Sequence, residues 1–87
     1  MEHRNRFEIL SQILEIANGN EVTQTKIMYK AFLSYLKSKE YLLFLLENDL
    51  IEYYGGERTY KTTGKGIHFL QTYNKINEMI IVNKDRR

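Results

Sequence analysis

The sequence contains no cysteine, no proline and no tryptophan, and it has only five glycines and two histidines. Without cysteine the chain forms no disulfide, no thiolate metal site and no cysteine nucleophile. Without proline, no predicted helix carries an internal breaker. The longest apolar run, Tyr41 to Leu46, has six residues, whereas roughly 18 to 20 are needed to cross a bilayer. The sequence therefore predicts no membrane span.

The 87 residues are 43% hydrophobic, which fits one domain covering residues 1–87. The charged start, Met1 to Arg6, is not followed by a small-residue cleavage site, so it does not resemble a secretory signal. We expect a cytoplasmic protein. Titratable groups are sparse, and His3 and His68 lack the spacing of a metal site. The prediction is a non-enzyme without metal or cofactor.

Positive charge is concentrated in two segments, although the net charge is only +2. Residues 22–39 contain four cations and no acid, and residues 58–77 also contain four cations and no acid. These cations are Lys26, Lys30, Lys37 and Lys39 in the first segment, and Arg58, Lys61, Lys65 and Lys75 in the second. A fold that brings the two segments together would have one positive face.

Hydrophobic periodicity predicts three helices in the first half of the chain. The first covers about residues 4–18 and ends at Asn18-Gly19-Asn20, because Gly and Asn readily adopt the left-handed conformation. The second is short, with Thr23 as its N-cap. The third extends from Tyr35 to about Asn48 with Ser34 as its N-cap. Its inward positions are predicted to be Leu36, Leu42, Leu45 and Leu46.

A β-hairpin is predicted after the third helix, because two β-favouring runs, 50–54 and 59–62, flank Gly55-Gly56. The glycines are expected to supply the positive φ angles of the turn. A last helix follows over residues 63–82, with Thr63 as its N-cap. Gly64 and Gly66 predict a junction where the backbone approaches a neighbour closely. Lys84 to Arg87 are expected to fray.

The last helix carries a heptad-type apolar seam at spacings of four, three and four residues. The seam consists of Phe69, Tyr73, Ile76 and Ile80. It predicts a homodimer joined through this helix, because an 87-residue monomer cannot easily cover so much apolar surface. The alternative is that the seam packs on its own domain.

The predicted layout is that of a winged helix-turn-helix, a mainly α fold of the α+β class. It consists of two short helices joined by a tight turn, then a hairpin with a basic tip, and then a long last helix. A helix fits the DNA major groove, and its first turns face the base edges. The predicted DNA-binding residues, from the helix before the turn, the recognition helix and the hairpin, are Thr23, Gln24, Thr25, Lys26, Lys30, Ser34, Tyr35, Lys37, Ser38, Lys39, Arg58 and Lys61. The alternative is a solvated surface without a ligand.

Seven stretches match a known family over nearly the whole chain: Arg6–Leu10, Thr25–Ala31, Leu33–Tyr35, Tyr41–Leu42, Leu50–Ile51, Tyr60–Gly66 and Phe69–Leu70. In these stretches the sequence resembles the archaeal winged-helix DNA-binding proteins, which include small regulators of archaea and their viruses. The resemblance implies a dimer joined through the last helix that binds duplex DNA. Relatives often carry a longer coiled-coil helix, whereas this one is predicted to stop near Val82.

Three functions are compatible with these patterns. The preferred hypothesis is a homodimeric transcriptional regulator that binds a specific double-stranded DNA sequence, with the third helix in the major groove and the hairpin on the adjacent backbone or minor groove. A protein-interaction module on the same scaffold is the second. A non-specific architectural DNA-binding protein is the third.

Overall fold

The computed structural model describes the backbone of residues 4–85 and the side chains of residues 4–80. This part of the chain contains four helices and three short strands. In chain order they are α1 Arg6–Ile16, β1 Val22–Thr23, α2 Gln24–Ala31, α3 Tyr35–Glu47, β2 Ile51–Tyr54, β3 Thr59–Thr62 and α4 Gly64–Asp85. The predicted order of three helices, a hairpin and a long helix is confirmed. Helix α4 continues to Asp85 instead of ending near Val82. Arg86 and Arg87, the end of the predicted frayed tail, lie outside the described residues.

Helices α1, α2 and α3 each begin at a polar side chain that accepts a hydrogen bond from the backbone amide three residues later. These bonds join Asn5 to the Glu8 amide at 2.8 Å, Thr23 to the Lys26 amide at 3.2 Å and Ser34 to the Lys37 amide at 3.2 Å. Each satisfies an amide that the helix itself leaves without a partner, and each contributes about 1 kcal/mol. The predictions for Thr23 and Ser34 are confirmed. Asn5 is an additional cap, and it begins α1 at Arg6 rather than Arg4.

Left-handed residues follow the ends of three helices. Gly19 adopts the predicted left-handed conformation, with φ +82°, but α1 already ends at Ile16, two residues before the predicted Asn18. Asp49, with φ 59°, follows the C-cap of α3. Helix α2 ends at Phe32, a bulky residue with φ 56° whose side chain is exposed. The Arg4 guanidinium donates to the Ala31 carbonyl at 2.6 Å and to the Phe32 carbonyl at 3.3 Å. These bonds satisfy carbonyls at the end of α2 and hold the turn into α3.

The three strands form one antiparallel sheet in the order β1-β3-β2. We call the β2–β3 hairpin the wing. Strand β1 pairs with β3 through Val22 opposite Tyr60 and Thr23 opposite Thr59, so it joins the start of α2 to the wing. The predicted role of the glycine pair is wrong: Gly55 and Gly56 have no positive φ, and the left-handed residue of the turn is Arg58, with φ 58°.

The core lies between the helices and the inner face of the sheet. Its fully or almost fully buried apolar residues are Leu10, Ile13, Leu14, Ala17, Val22, Ile27, Ala31, Leu42, Leu45, Leu50, Ile51 and Leu70. Leu42 and Leu45 are buried as predicted, and Leu46 is half-buried. Leu36 is 75% exposed, so its predicted inward position is wrong. Nine residues are about two and a half helical turns, which places Leu36 opposite Leu45.

Gly66 lies in the first turn of α4, where that helix crosses the chain just before β2. A Cβ atom at this position would lie 2.2 Å from the Leu50 carbonyl oxygen and 2.6 Å from Thr62 Cγ2. The crossing is fixed by Thr63, whose hydroxyl donates to the Asp49 carbonyl at 2.7 Å and accepts from the Gly66 amide at 3.0 Å. The predicted close approach and the predicted cap at Thr63 are therefore confirmed.

We expect Gly66→Ala to destabilise the domain by about 1–3 kcal/mol, because the added methyl group meets backbone that cannot move without disturbing β2. Gly64→Ala is the matched control: no atom lies within 4 Å of its added Cβ, and alanine is the better helix former by up to about 1 kcal/mol. Urea unfolding of the three proteins measures both effects. Equal stability of the two variants would contradict the packing argument.

Candidate nucleic-acid interface

The first turns of α3 project from the domain, while the later turns pack into it. Leu42 and Leu45 hold the helix to the core. Tyr35, Lys37 and Lys39, three of the predicted DNA-binding residues, are all exposed near its N-terminal end. A helix presented in this way leaves its first turns free to approach base edges in a major groove.

Ser38 is a correction to the predicted set of contact residues. Its side chain has 0% exposure, so it has no surface with which to touch DNA. Its hydroxyl donates to the Tyr35 carbonyl at 2.8 Å and accepts from Gln24 Nε2 at 2.9 Å. Gln24 is half-buried by the same contact. Ser38 therefore fixes α2 against the first turn of α3, which is a positioning role.

A cleft of about 440 Å³ separates the start of α2 from the wing. Both basic segments contribute to its lining, the first through Thr23, Gln24 and Thr25 and the second through Arg58 and Tyr60. Tyr53 and Glu57, which lie between the two segments in the sequence, complete the lining. The unpaired amides in the first turn of α2 and the Arg58 guanidinium favour an anion here. Glu57 carries the opposite charge at the same place, so the cleft is a mixed rather than a uniformly positive surface.

Strand pairing explains why segments distant in the sequence meet at this cleft. Because β1 pairs with β3, Thr23 at the start of α2 lies beside Thr59, the residue after Arg58. Glu21 strengthens the junction, since its carboxylate accepts a hydrogen bond from the Thr59 hydroxyl at 2.7 Å. Lys61 lies further along β3, half-buried and opposite Glu52. It is less available than Arg58, which is exposed at the tip of the wing.

Tyrosines connect the wing to α3. The rings of Tyr53 and Tyr60 lie 4.9 Å apart, tilted by 46°. Burial raises the pKa of the Tyr60 phenol, and the nearby phenols of Tyr53 and Tyr35 raise it further. At neutral pH Tyr60 therefore stays protonated and able to donate a hydrogen bond. Lys39 Nζ lies 5.8 Å from the centre of the Tyr35 ring, so these two side chains lie on the same side of α3.

Lys37 lies on a different side of α3, toward α1. Its Nζ is 3.5 Å from a carboxylate oxygen of Glu40, and both side chains are largely exposed. Arg6 and Tyr41 complete a hollow of about 140 Å³ with this pair. The Arg6 guanidinium is 4.9 Å from the centre of the Phe44 ring. Sequence reasoning missed Arg6, because only packing of α1 on α3 places its charge near Lys37.

The two lysines of α2 lie four residues apart and outside the cleft. Lys26 is exposed in the first turn. Lys30 borders a hollow of about 260 Å³ beside α1, with Gln12, Glu15 and Ile16. The structure therefore does not bring Lys30 together with the wing, as the predicted set assumed. Ser34 serves as the N-cap of α3, so its hydroxyl is already engaged with the helix.

The predicted seam of α4 divides into two halves. Phe69 packs against the core of its own domain, and Tyr73 is half-buried. Ile76 and Ile80, in contrast, are 52% and 53% exposed. Exposed Phe7 of α1 borders an apolar cleft of about 290 Å³ with Phe69, Thr72, Tyr73 and Ile76. The second half of the seam thus adjoins an apolar surface that includes α1.

Among residues 4–85 the structure contains no group of three or more side chains placed to hold a metal ion. His68 is exposed on α4. None of the described helices is both long and apolar enough to span a bilayer.

Comparison with known proteins places the chain in a family. The model of the family described as winged helix-turn-helix matches residues 3–81. An uncharacterized protein from Methanocaldococcus jannaschii is 31% identical over 81 residues, which are 93% of this chain. The chain spans 37% of the length of that relative. The crystal structure of Sso10a-2, a DNA-binding protein from Sulfolobus solfataricus, has the same fold, with a TM-score of 0.73, 23% identity and coverage of 95% of this chain and 92% of the other.

Proposed function

The chain belongs to the winged helix-turn-helix family, and we propose that it binds double-stranded DNA as a homodimeric, sequence-specific transcriptional regulator. Helix α3 enters the major groove, and the wing contacts the adjacent backbone or minor groove. The observation that carries the proposal is that the start of α2 and Arg58 of the wing line one cleft, while Gln24 of the same cleft donates a hydrogen bond to Ser38 in the first turns of α3. The description of Sso10a-2 as a DNA-binding protein supports it.

Each part has a distinct task in this arrangement. The capped start of α2 offers backbone amides to a phosphate, which positions the protein without specifying sequence. Tyr35 and Lys39 lie on the same side of α3, and in the proposed complex they contact base edges or the flanking phosphates. Arg58 extends from the tip of the wing to the backbone or the minor groove. Ser38 and Gln24 keep α2 and α3 in the required relative position.

Dimerisation through α4 is the second part of the proposal. Ile76, Met79 and Ile80 are each more than half exposed, and together with the cleft beside Phe7 they form an apolar surface of the kind that marks an interface. A two-fold dimer presents two copies of α3, and DNA-bound regulators of this kind place them about 34 Å apart, one duplex turn. The preferred DNA site would then be nearly palindromic.

The proposal is tested by substituting one lysine on the surface and one outside it. Lys39→Ala should weaken binding to a labelled duplex by about tenfold for each protomer, because one charge-assisted hydrogen bond contributes about 1.5 kcal/mol. Lys30→Ala removes the same charge from the α1 side of α2 and should leave affinity nearly unchanged. Fluorescence anisotropy measures both. Equal losses, or the absence of binding to any duplex, would contradict the proposed surface.

Selection of bound duplexes from a random pool separates a regulator from an architectural protein. A regulator should enrich a motif with two-fold symmetry, whereas an architectural protein should enrich none.

A protein-interaction module is favoured by one feature of α3, because Leu36, Leu43 and Glu40 are exposed along it. Such a module would bind no duplex with useful affinity, and the lysine substitutions would then have no effect to measure.

A further inference from the structure

The outermost face of α3 is apolar at two positions. Leu36 is 75% exposed and Leu43 is 56% exposed. A separation of seven residues is close to two helical turns, so the two leucines lie along one line of the helix. Ser38, Leu42 and Leu45 are buried on the opposite side. Neither leucine belongs to the core or packs against it.

Leu36 is held in a fixed position although its side chain is exposed. It lies in the first turn of α3, between the N-cap Ser34 and the buried Ser38. Ser34 binds the Lys37 amide at 3.2 Å, and Ser38 binds the Tyr35 carbonyl at 2.8 Å. The backbone on both sides of Leu36 is therefore restrained, and its side chain is exposed next to Tyr35 at the end of α3 that the proposed function places against base edges.

The major groove offers one alkyl group, the C5-methyl of thymine. Apart from the small C5–H of cytosine, the other groups that the base pairs expose in this groove are hydrogen-bond donors or acceptors, which a leucine side chain cannot satisfy. A leucine placed against cytosine, guanine or adenine would desolvate polar atoms without replacing their hydrogen bonds. The chemistry of the groove thus selects thymine as the base that suits Leu36.

We propose that Leu36 is a specificity-determining residue that packs against the C5-methyl group of a thymine in each half-site. This inference rests on the proposed function, since it requires α3 to lie in the major groove. It adds the chemical identity of one recognised base, a thymine near the N-terminal end of α3. Leu43 lies farther from that end by about 10 Å along the helix axis, so it is not assigned this contact.

The test compares two labelled duplexes of about 30 base pairs, long enough for two half-sites one turn apart. One contains thymine, and the other has deoxyuridine at every thymine position. Deoxyuridine lacks only the C5-methyl group and keeps the hydrogen-bonding groups and the phosphates. The wild-type dimer should prefer the thymine duplex by about fourfold for each methyl group buried, or about fifteenfold for two half-sites.

Two variants make the comparison specific to Leu36. Leu36→Ala should bind both duplexes with equal affinity, and it should fold normally because the side chain it shortens is exposed. Leu43→Ala is the matched control, the same change on the same line of the same helix, and should keep the wild-type preference for thymine. Circular dichroism and urea unfolding of both variants verify that the fold is retained.

The outcomes separate this inference from the proposed function. Equal wild-type affinity for the two duplexes, with salt-dependent binding intact, would overturn the assignment to Leu36 and leave DNA binding in place. Equal loss of thymine preference in Leu36→Ala and Leu43→Ala would also overturn it. If wild-type protein bound neither duplex, the proposed function itself would be wrong, and the thymine contact with it.

Discussion

Raising the monovalent salt concentration from about 50 to about 200 mM is expected to weaken duplex binding by about three to five decades. This follows if each protomer neutralises roughly three to five phosphates, so that a dimer releases the counterions of about six to ten. Three to five phosphate contacts for each protomer can be supplied by the amides at the start of α2 and by the exposed cations of the proposed DNA-binding surface. These cations are Lys26, Lys37, Lys39 and Arg58. Anisotropy titrations at several salt concentrations give the slope of log K against log salt.

The slope also distinguishes the contacts made by individual side chains. If Lys39 meets a phosphate, Lys39→Ala should reduce the slope by about one unit for each protomer and weaken binding to all sequences alike. If it contacts a base, the slope should change less, and preference should relax at one position. Leu36→Ala carries no charge change and serves as the control whose slope stays at the wild-type value. A nearly flat salt response of the wild-type protein would contradict the whole electrostatic mechanism.

The second large effect concerns the exposed half of the α4 seam. The double variant Ile76→Glu, Ile80→Glu should raise the dimer dissociation constant by more than about a hundredfold, because an unpaired carboxylate buried in an apolar interface costs several kcal/mol. A monomer binds one half-site at a time and loses the gain in affinity that a dimer obtains by occupying both half-sites together. Affinity for a duplex with two half-sites should therefore fall by a factor of about 10² to 10⁴. Sedimentation velocity and anisotropy measure the two losses.

A matched double variant controls for added negative charge. Gln71 and Asn74 are exposed and lie on the opposite side of α4 from Ile76 and Ile80, and Gln71→Glu, Asn74→Glu adds the same charge there. The control should remain dimeric and bind duplex almost as the wild type does at matched salt. A wild-type protein that sediments as a monomer at high concentration, or a control that dissociates as fully as the seam variant, would contradict the proposed interface.

Local physics made much of the fold predictable. The caps at Thr23 and Ser34 each depend on a bond to an amide three residues away, and the wing follows from two β-favouring runs around a turn. Such signals lie within a few residues of one another. The close approach at Gly66 was also predictable as a type of contact, although the partner, Leu50, was not. These features need little information from the rest of the chain.

The errors at Ser38 and Leu36 concern the surroundings of a residue, whereas the error at Gly55 and Gly56 concerns the local geometry of the turn. Ser38 has the composition of a surface residue, but its partner Gln24 lies fourteen residues away and covers it. Leu36 has the composition of a core residue, but the phase of α3 relative to Leu45 turns it outward. Strand β1 has only two residues and exists because β3 is available to pair with it.

By itself, the sequence determined which segments become helix or strand and where most of them begin. It also determined that cations collect in two separated segments. These features are local, because periodicity, capping and composition act over short distances along the chain. Only the tertiary structure decided which of those cations share a surface, since pairing of β1 with β3 brings Thr25 and Arg58 to one cleft while Lys30 turns toward α1. Side-chain exposure is set by contacts between elements, and those contacts form only when the whole domain packs.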